Sequence, residues 1–168
     1  MKGGFQMSME ECLGMTKQEI VEKYFDTVYR LALSQTKNQA DAEDITQDVF
    51  LRFVQNTKPF SSHEHIKAWL IRVTINRSLS LFSSVWHKRT EALTDEIPFD
   101  SPEKSDVYYA VLDLPPKYRA VIHLFYYEDM SVADIAIALK RNESTVKSQL
   151  HRARELLKNK LKGEYDFV

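Results

Sequence analysis

Ser131-Val132-Ala133-Asp134-Ile135-Ala136-Ile137-Ala138-Leu139, Lys140-Arg141, and Asn142-Glu143-Ser144-Thr145-Val146-Lys147-Ser148-Gln149-Leu150-His151-Arg152-Ala153-Arg154 are the most informative stretch of this chain. Ser131 stands at a helix N-cap position, with Asp134 three residues on, and predicts a short helix over Val132 to Leu139. Ile135, Ala136 and Leu139 fall on its inner side. Lys140-Arg141 supply a turn, Asn142 is a second N-cap, and Thr145 to Leu161 reads as a longer helix. Val146, Leu150, Ala153, Leu157 and Leu161 make its inner face. A short helix, a tight turn and a longer basic helix is the helix-turn-helix arrangement. Its second helix offers Ser144, Thr145, Lys147, Ser148, Gln149 and Arg152, with Arg141 in the turn: hydroxyls, an amide and cations suited to base edges and phosphates. An ordinary helical hairpin with a solvated basic face has the same spacing, which leaves both readings open.

The helical period extends upstream. Pro115-Pro116 sits where a helix can begin, with Val121, Ile122, Leu124 and Phe125 as its apolar side and Glu128-Asp129-Met130 as a turn. Val107 to Leu114 is a shorter helical pattern before it. Near the start, Thr16-Lys17-Gln18-Glu19 has the order of a capping box, followed by Ile20, Val21, Tyr24, Phe25, Val28 and Leu31 at helical spacing. A second helix starts near Asp41, with Ile45, Val49 and Phe53 on one face and Asp41, Asp44 and Asp48 on another. Ser61 or Ser62 caps a third, with Ile66, Trp69, Leu70 and Val73 inward. That helix runs far enough to carry a polar stripe of Asn76, Ser80, Ser83 and His87, beside Arg72, Arg77, Lys88, Arg89 and the aromatic Phe82 and Trp86. No strand pattern competes, so the expected class is all-α.

Among 168 residues, 23 Lys and Arg oppose 24 Asp and Glu, a formal net charge of −1. The balance is uneven along the chain. Residues 1–60 carry 7 basic and 9 acidic groups, 61–90 carry 5 and 1, 91–116 carry 1 and 7, and 117–168 carry 10 and 7. The acidic, Pro-bearing stretch from Glu91 reads as an interdomain linker over 91–105. The expected organisation is a mobile leader (1–15), a first helical domain (16–90), this linker, and a second domain (106–168) containing the helix-turn-helix. The lone Cys12 excludes a disulfide framework and a multi-Cys zinc cluster. No apolar run reaches the roughly eighteen residues of a membrane span. His63-Glu64-His65 puts its histidines on different sides of a helix, so no metal site is expected. No Glu is followed three residues later by His, as a helical di-metal centre needs, and there is no Gly-rich phosphate loop. The chain is expected not to be an enzyme and to need no cofactor.

At residue level the C-terminal third resembles a known family. Leu114-Pro115-Pro116-Lys117-Tyr118-Arg119, the run Ile122 to Tyr127, Ser131 to Leu139, Thr145-Val146-Lys147-Ser148 and His151-Arg152-Ala153-Arg154 are similar to domain 4 of extracytoplasmic-function (ECF) sigma factors. Asp41-Ala42-Glu43-Asp44-Ile45-Thr46-Gln47-Asp48-Val49-Phe50 resembles the same family's polymerase-binding segment. Ala68-Trp69-Leu70-Ile71-Arg72-Val73 with Asn76 resembles the start of its promoter-melting helix.

The resemblance implies a transcription initiation factor that directs RNA polymerase core to promoters. Asp41, Asp44, Gln47, Asp48 and Phe50 would bind a coiled coil of the polymerase large subunit. Arg72, Asn76, Arg77, Ser80, Ser83, Trp86, Lys88 and Arg89 would read and open the minus-ten element. Arg141, Ser144, Thr145, Lys147, Ser148, Gln149 and Arg152 would engage the minus-thirty-five element, with Gln149 and Ser144 nearest the bases and Arg141, Lys147 and Arg152 on phosphates. Ser80 and Ser83 depart from the family's Asp and Arg, and Gln149 from its common Arg, which points to altered sequence preference. The resemblance further implies a cytoplasmic protein held by an anti-sigma factor, with the acidic linker lying near the polymerase channel. The runner-up is a stand-alone helix-turn-helix regulator that binds duplex DNA without polymerase.

Overall fold

The computed structural model describes residues 11–86 and 106–164; the acidic 91–105 stretch, Lys88 and Arg89 lie outside them. A two-residue hairpin comes first, β1 (Glu11–Cys12) antiparallel to β2 (Met15–Thr16). It falls in the segment read from sequence as a leader, and its turn holds Leu13 and Gly14 at φ 54° and 81°. A strand this short has no room for the alternation that marks strands in sequence.

Helix α1 (Lys17–Thr36) starts on a complete capping box: the Glu19 N–H donates to Thr16 Oγ1 at 3.1 Å, and the Thr16 N–H donates to Glu19 Oε2 at 2.8 Å. It ends at Lys37, left-handed at φ 56°. Asn38 caps α2 (Gln39–Gln55), its Oδ1 accepting from the Asp41 N–H at 2.9 Å. After the loop bearing Phe60 comes α3 (His63–Trp86). Ile20, Tyr24, Val28 and Ala32 of α1 pack with Ala42, Ile45, Val49 and Phe53 of α2 and Ile66 and Leu70 of α3. Trp69 lies edge-on to Phe60 at 5.8 Å, closing this core from one end as its apolar stripe predicts.

The second half holds α4 (Asp106–Leu112), α5 (Pro116–Ile122), a π-helical turn (His123–Tyr127), α6 (Val132–Leu139) and α7 (Glu143–Glu164). Ser131 caps α6 by accepting from the Asp134 N–H at 3.1 Å. Lys140 then turns the chain at φ 51°, and the Arg141 N–H donates back to Ala136 O at 2.9 Å. Val146, Leu150 and Ala153 bury α7 against Ile135, Ala136 and Ala138 of α6. The class is all-α with a C-terminal helix-turn-helix.

The two halves are packed together. Leu31 of α1 and Ala68, Ile71 and Ile75 of α3 belong to the apolar cluster of the second half, not of the first. Helix α3 is therefore apolar on two sides, facing α1 and α2 through Ile66 and Leu70 and facing α6 through Ala68, Ile71 and Ile75. Arg119 of α5, 3% exposed, crosses the same seam: its guanidinium donates to Ser34 O at 2.7 Å and Gln35 O at 3.2 Å, as well as to Leu114 O.

Candidate nucleic-acid and protein interfaces

The outer face of α7 is a polar shelf. Ser144, Thr145, Lys147, Ser148 and Arg152 are exposed there and Gln149 is half-buried, because Val146, Leu150 and Ala153 turn the opposite face inward. Lys117 and Tyr118 at the start of α5 complete a shallow groove with Ser144, Thr145, Ser148, Gln149 and Arg152. Their part in it was not legible in sequence: they precede α7 by a whole helix-turn-helix, and only the packing of α5 on α7 brings them alongside. The Arg141 guanidinium donates to Gln149 Oε1 at 2.9 Å. That bond fixes the amide oxygen on Arg141 and leaves the NH2 end without a partner in it. Arg152 Nη1 lies 3.3 Å from Glu155 Oε2. Arg154 belongs to another surface, donating to the Tyr126 hydroxyl at 2.9 Å and lying over Phe125.

In the first half, Asp44 and Gln47 are exposed on α2, while Asp41 and Asp48 are half-buried. Asp48 Oδ2 takes Arg52 Nε at 3.0 Å and Arg77 Nε at 2.5 Å. Asp41, Asp44, Ile45 and Asp48 line one groove with Arg77, Ser80 and Leu81 of α3. Residues assigned from sequence to two different tasks, polymerase binding and minus-ten reading, thus meet in one cleft. Phe50 is not on this face. It is 7% exposed and stacks on Phe25 at 6.1 Å, because its helical angle places it with the core. Leu51, 55% exposed and seven residues after Asp44, occupies the acidic face instead; the i, i+7 spacing was the available signal.

Along α3, Asn76, Ser80 and Ser83 are exposed and Arg72 is half-buried. Ser83 donates to Ser80 O at 2.9 Å, so one of the two hydroxyls expected to face DNA is turned to its own helix. Trp86 is the last residue of α3, with its side chain outside the described atoms. His63 and His65 hold the hairpin and the loop: His63 Nε2 is 3.1 Å from Leu13 O, and His65 Nδ1 accepts from the Ser61 N–H at 3.1 Å. Among the described residues no cluster of His, Cys, Asp and Glu is placed to hold a metal ion, and no helix is long and apolar enough to cross a membrane.

Residues 20–88 match the family model "Sigma-70 region 2", and residues 105–157 match "Sigma-70, region 4". The chain is 36% identical over 159 residues to the ECF RNA polymerase sigma factor SigE of Mycolicibacterium smegmatis, covering 85% of this chain and 60% of that protein. It is 32% identical over 143 residues to the RNA polymerase sigma factor SigV of Bacillus subtilis, covering 81% of this chain and 85% of that one. In fold it is similar to the sigma factor RpoE solved with the anti-sigma factor NepR from Bartonella quintana: TM-score 0.69, 23% identity, 86% of this chain and 96% of that chain covered.

Proposed function

This chain belongs to the sigma-70 family, among its extracytoplasmic-function members, and we propose that it is an alternative transcription initiation factor that binds RNA polymerase core and directs it to specific promoters. What carries the reading is that regions 2 and 4 occur in one chain, in order, each presenting an exposed polar face beside a groove. The chain forms and breaks no covalent bond in this role. Its work is positional.

Residues 16–90 act as the polymerase-binding and minus-ten domain, and 106–168 as the minus-thirty-five domain. Asp41, Asp44, Gln47 and Asp48 present negative charge and an amide to a basic coiled coil of the polymerase, where complementary charge sets on-rate and register. Leu51 adds the apolar contact that the buried Phe50 does not. Arg72, Asn76, Arg77 and Ser80 face the minus-ten strand. Lys117, Arg141, Lys147 and Arg152 hold phosphates around Ser144 and Gln149. An anti-sigma factor, the class of partner named with the Bartonella sigma factor, would keep the chain inactive in the cytoplasm, where polymerase and promoter are.

Purified core polymerase combined with this chain should initiate transcription from a subset of a randomised promoter library. The chain alone should bind duplex DNA weakly, since its net charge of −1 supplies little non-specific attraction. Failure to bind core would overturn the reading. Tight specific duplex binding without polymerase would favour a stand-alone regulator.

A further inference from the structure

The groove between α2 and α3 sets one cation against three carboxylates. Asp41, Asp44 and Asp48 line its α2 side with Ile45, and Arg77, Ser80 and Leu81 line its α3 side. Among the described residues that line it, Arg77 is the only cation. Arg77 Nε lies 2.5 Å from Asp48 Oδ2, and Arg52 Nε reaches the same oxygen at 3.0 Å from one turn along α2. Two guanidinium groups therefore compete for one carboxylate oxygen.

The two contacts are not alike. Arg52 donates a hydrogen bond to Asp48 along its own helix. Arg77 crosses between helices, and its Nε is buried without a hydrogen-bond partner among the described residues. Charge attraction holds it close, but its N–H is not aimed at the oxygen. A phosphate would return more, since a guanidinium can meet it through two parallel N–H bonds. The Asp48 and Arg77 side chains are 30% and 39% exposed, so an incoming partner can reach either member of the pair.

The pairing has consequences on both sides of the groove. Asp48 belongs to the face that meets a basic coiled coil in the reading above. Arg77 is flanked on α3 by the exposed Asn76 and Ser80, on the stripe that meets the minus-ten strand. While the two are paired, each cancels the charge that the other's partner would recognise. A lysine or arginine that takes Asp48 returns Arg77 its full charge, and a phosphate that takes Arg77 returns Asp48 its own. Linkage makes this effect equal in the two directions.

We propose that the Asp48–Arg77 ion pair couples the two interfaces of the first half: it restrains both in the free chain and makes core polymerase docking and minus-ten strand binding favour one another. The inference rests on the promoter-directing role for the identity of the two partners. The restraint on Arg77, however, is measured on the free chain with DNA alone. A partly exposed ion pair shifts an equilibrium by up to about fivefold, which sets the size of the coupling.

The first measurement is fluorescence anisotropy of the free chain with a labelled short single-stranded DNA of random sequence, at low salt. Asp48→Asn should tighten binding about two- to fivefold. Asp44→Asn removes the same charge from the same face without touching the pair, and should give a smaller gain. With Arg77→Gln in place, Asp48→Asn should gain no more than Asp44→Asn does. The second measurement uses purified core polymerase. Arg77→Gln should bind it about two- to fivefold tighter than the wild type, and that gain should vanish in the Asp48→Asn background. A damaged fold weakens binding, so gains in both assays cannot come from misfolding. The coupling is overturned by an Asp48→Asn gain that only matches Asp44→Asn or that persists without Arg77, or by an Arg77→Gln chain that binds core no tighter. Variants that bind no single strand at all overturn it too, since a released Arg77 then has no strand to meet. Should the chain fail to bind core, the promoter-directing role falls, and the DNA measurement decides by itself whether Asp48 restrains Arg77.

Discussion

The Arg141–Gln149 bond makes a prediction that neither residue makes alone. A glutamine reads adenine with both ends of its amide, accepting from N6 and donating to N7. Here Arg141 already donates to Oε1 at 2.9 Å, which takes one of its two lone pairs, weakens it as an acceptor and leaves Nε2 as the main reading group. A donor alone selects acceptors, such as guanine O6 and N7, adenine N7 or thymine O4, and so disfavours mainly cytosine. A full bidentate contact is worth about 1–3 kcal/mol of discrimination, so a single donor supplies about 1 kcal/mol, a preference of roughly fivefold. Gln149→Ala should remove that preference at one base pair of the upstream element. Arg141→Ala should weaken binding at every sequence through the lost phosphate contact, and should also shift the preferred base at that same pair toward adenine, because Oε1 is released. The double substitution should be non-additive by about 0.5–1.5 kcal/mol. Both side chains are half-buried outside the apolar cluster, so stability should stay within about 0.5 kcal/mol in every variant. The assay is holoenzyme transcription over a randomised upstream element, sequenced before and after selection. Additive effects with an unchanged base preference would refute the argument.

Other expectations follow from burial and charge. Ile71→Ala empties a fully buried position on the seam and should cost about 2–5 kcal/mol, seen as a fall in Tm of about 5–15 °C, whereas Ile137→Ala, 67% exposed, should be nearly silent; equal shifts would contradict the placement of α3. Asp44→Lys and Leu51→Ala should each weaken core polymerase binding at least tenfold by fluorescence anisotropy without moving Tm, since both side chains are exposed in the free chain. Burial of Glu128 raises its pKa, but hydrogen bonding and charge from His123, with Lys67 and Thr27, outweigh it and hold the pKa below the usual 4.5. A depressed carboxylate stabilises above its unfolded pKa and loses that contribution as pH falls through the lower folded value. Urea midpoints should therefore drop more steeply below about pH 4.5 for the wild type than for Glu128→Gln; parallel curves would remove Glu128 from the seam's energetics.

The individual helices were largely legible because their signals are local. Thr16, Ser131 and the spacing of Ile45, Val49 and Phe53 act within a turn or two of themselves, and each does in the structure what its position implies. The seam is not local. Ile66, Trp69, Leu70 and Val73 account for one apolar side of α3, but Ala68, Ile71 and Ile75 make a second side whose partner lies in another domain, and periodicity cannot name it. Arg119 carries no local signal of its burial for the same reason, since its acceptors across the seam are backbone carbonyls distant in sequence. The π-helical turn was equally hidden: His123 to Tyr127 contains no Gly or Pro, and its register change shows in backbone bonds such as the Glu128 N–H bonding His123 O. Phe50 shows how a family motif can outrun geometry. The motif groups it with Asp48, while the helical angle of 100° per residue turns it to the core.

Thr74 and Ser78 share a face of α3 with Ile71 and Ile75, and both are 0% exposed. Their hydroxyls donate to Leu70 O at 2.7 Å and Thr74 O at 2.8 Å, one turn back on their own helix. These hydroxyls carry their partners with them. Buried, they leave nothing unsatisfied; wetted, they swap one acceptor for another at little cost. Leucine in the same two places would add apolar surface but no self-paired polar group, so the alternation of Ile71 and Ile75 with Thr74 and Ser78 lets one stripe of α3 be fully buried and still tolerate water.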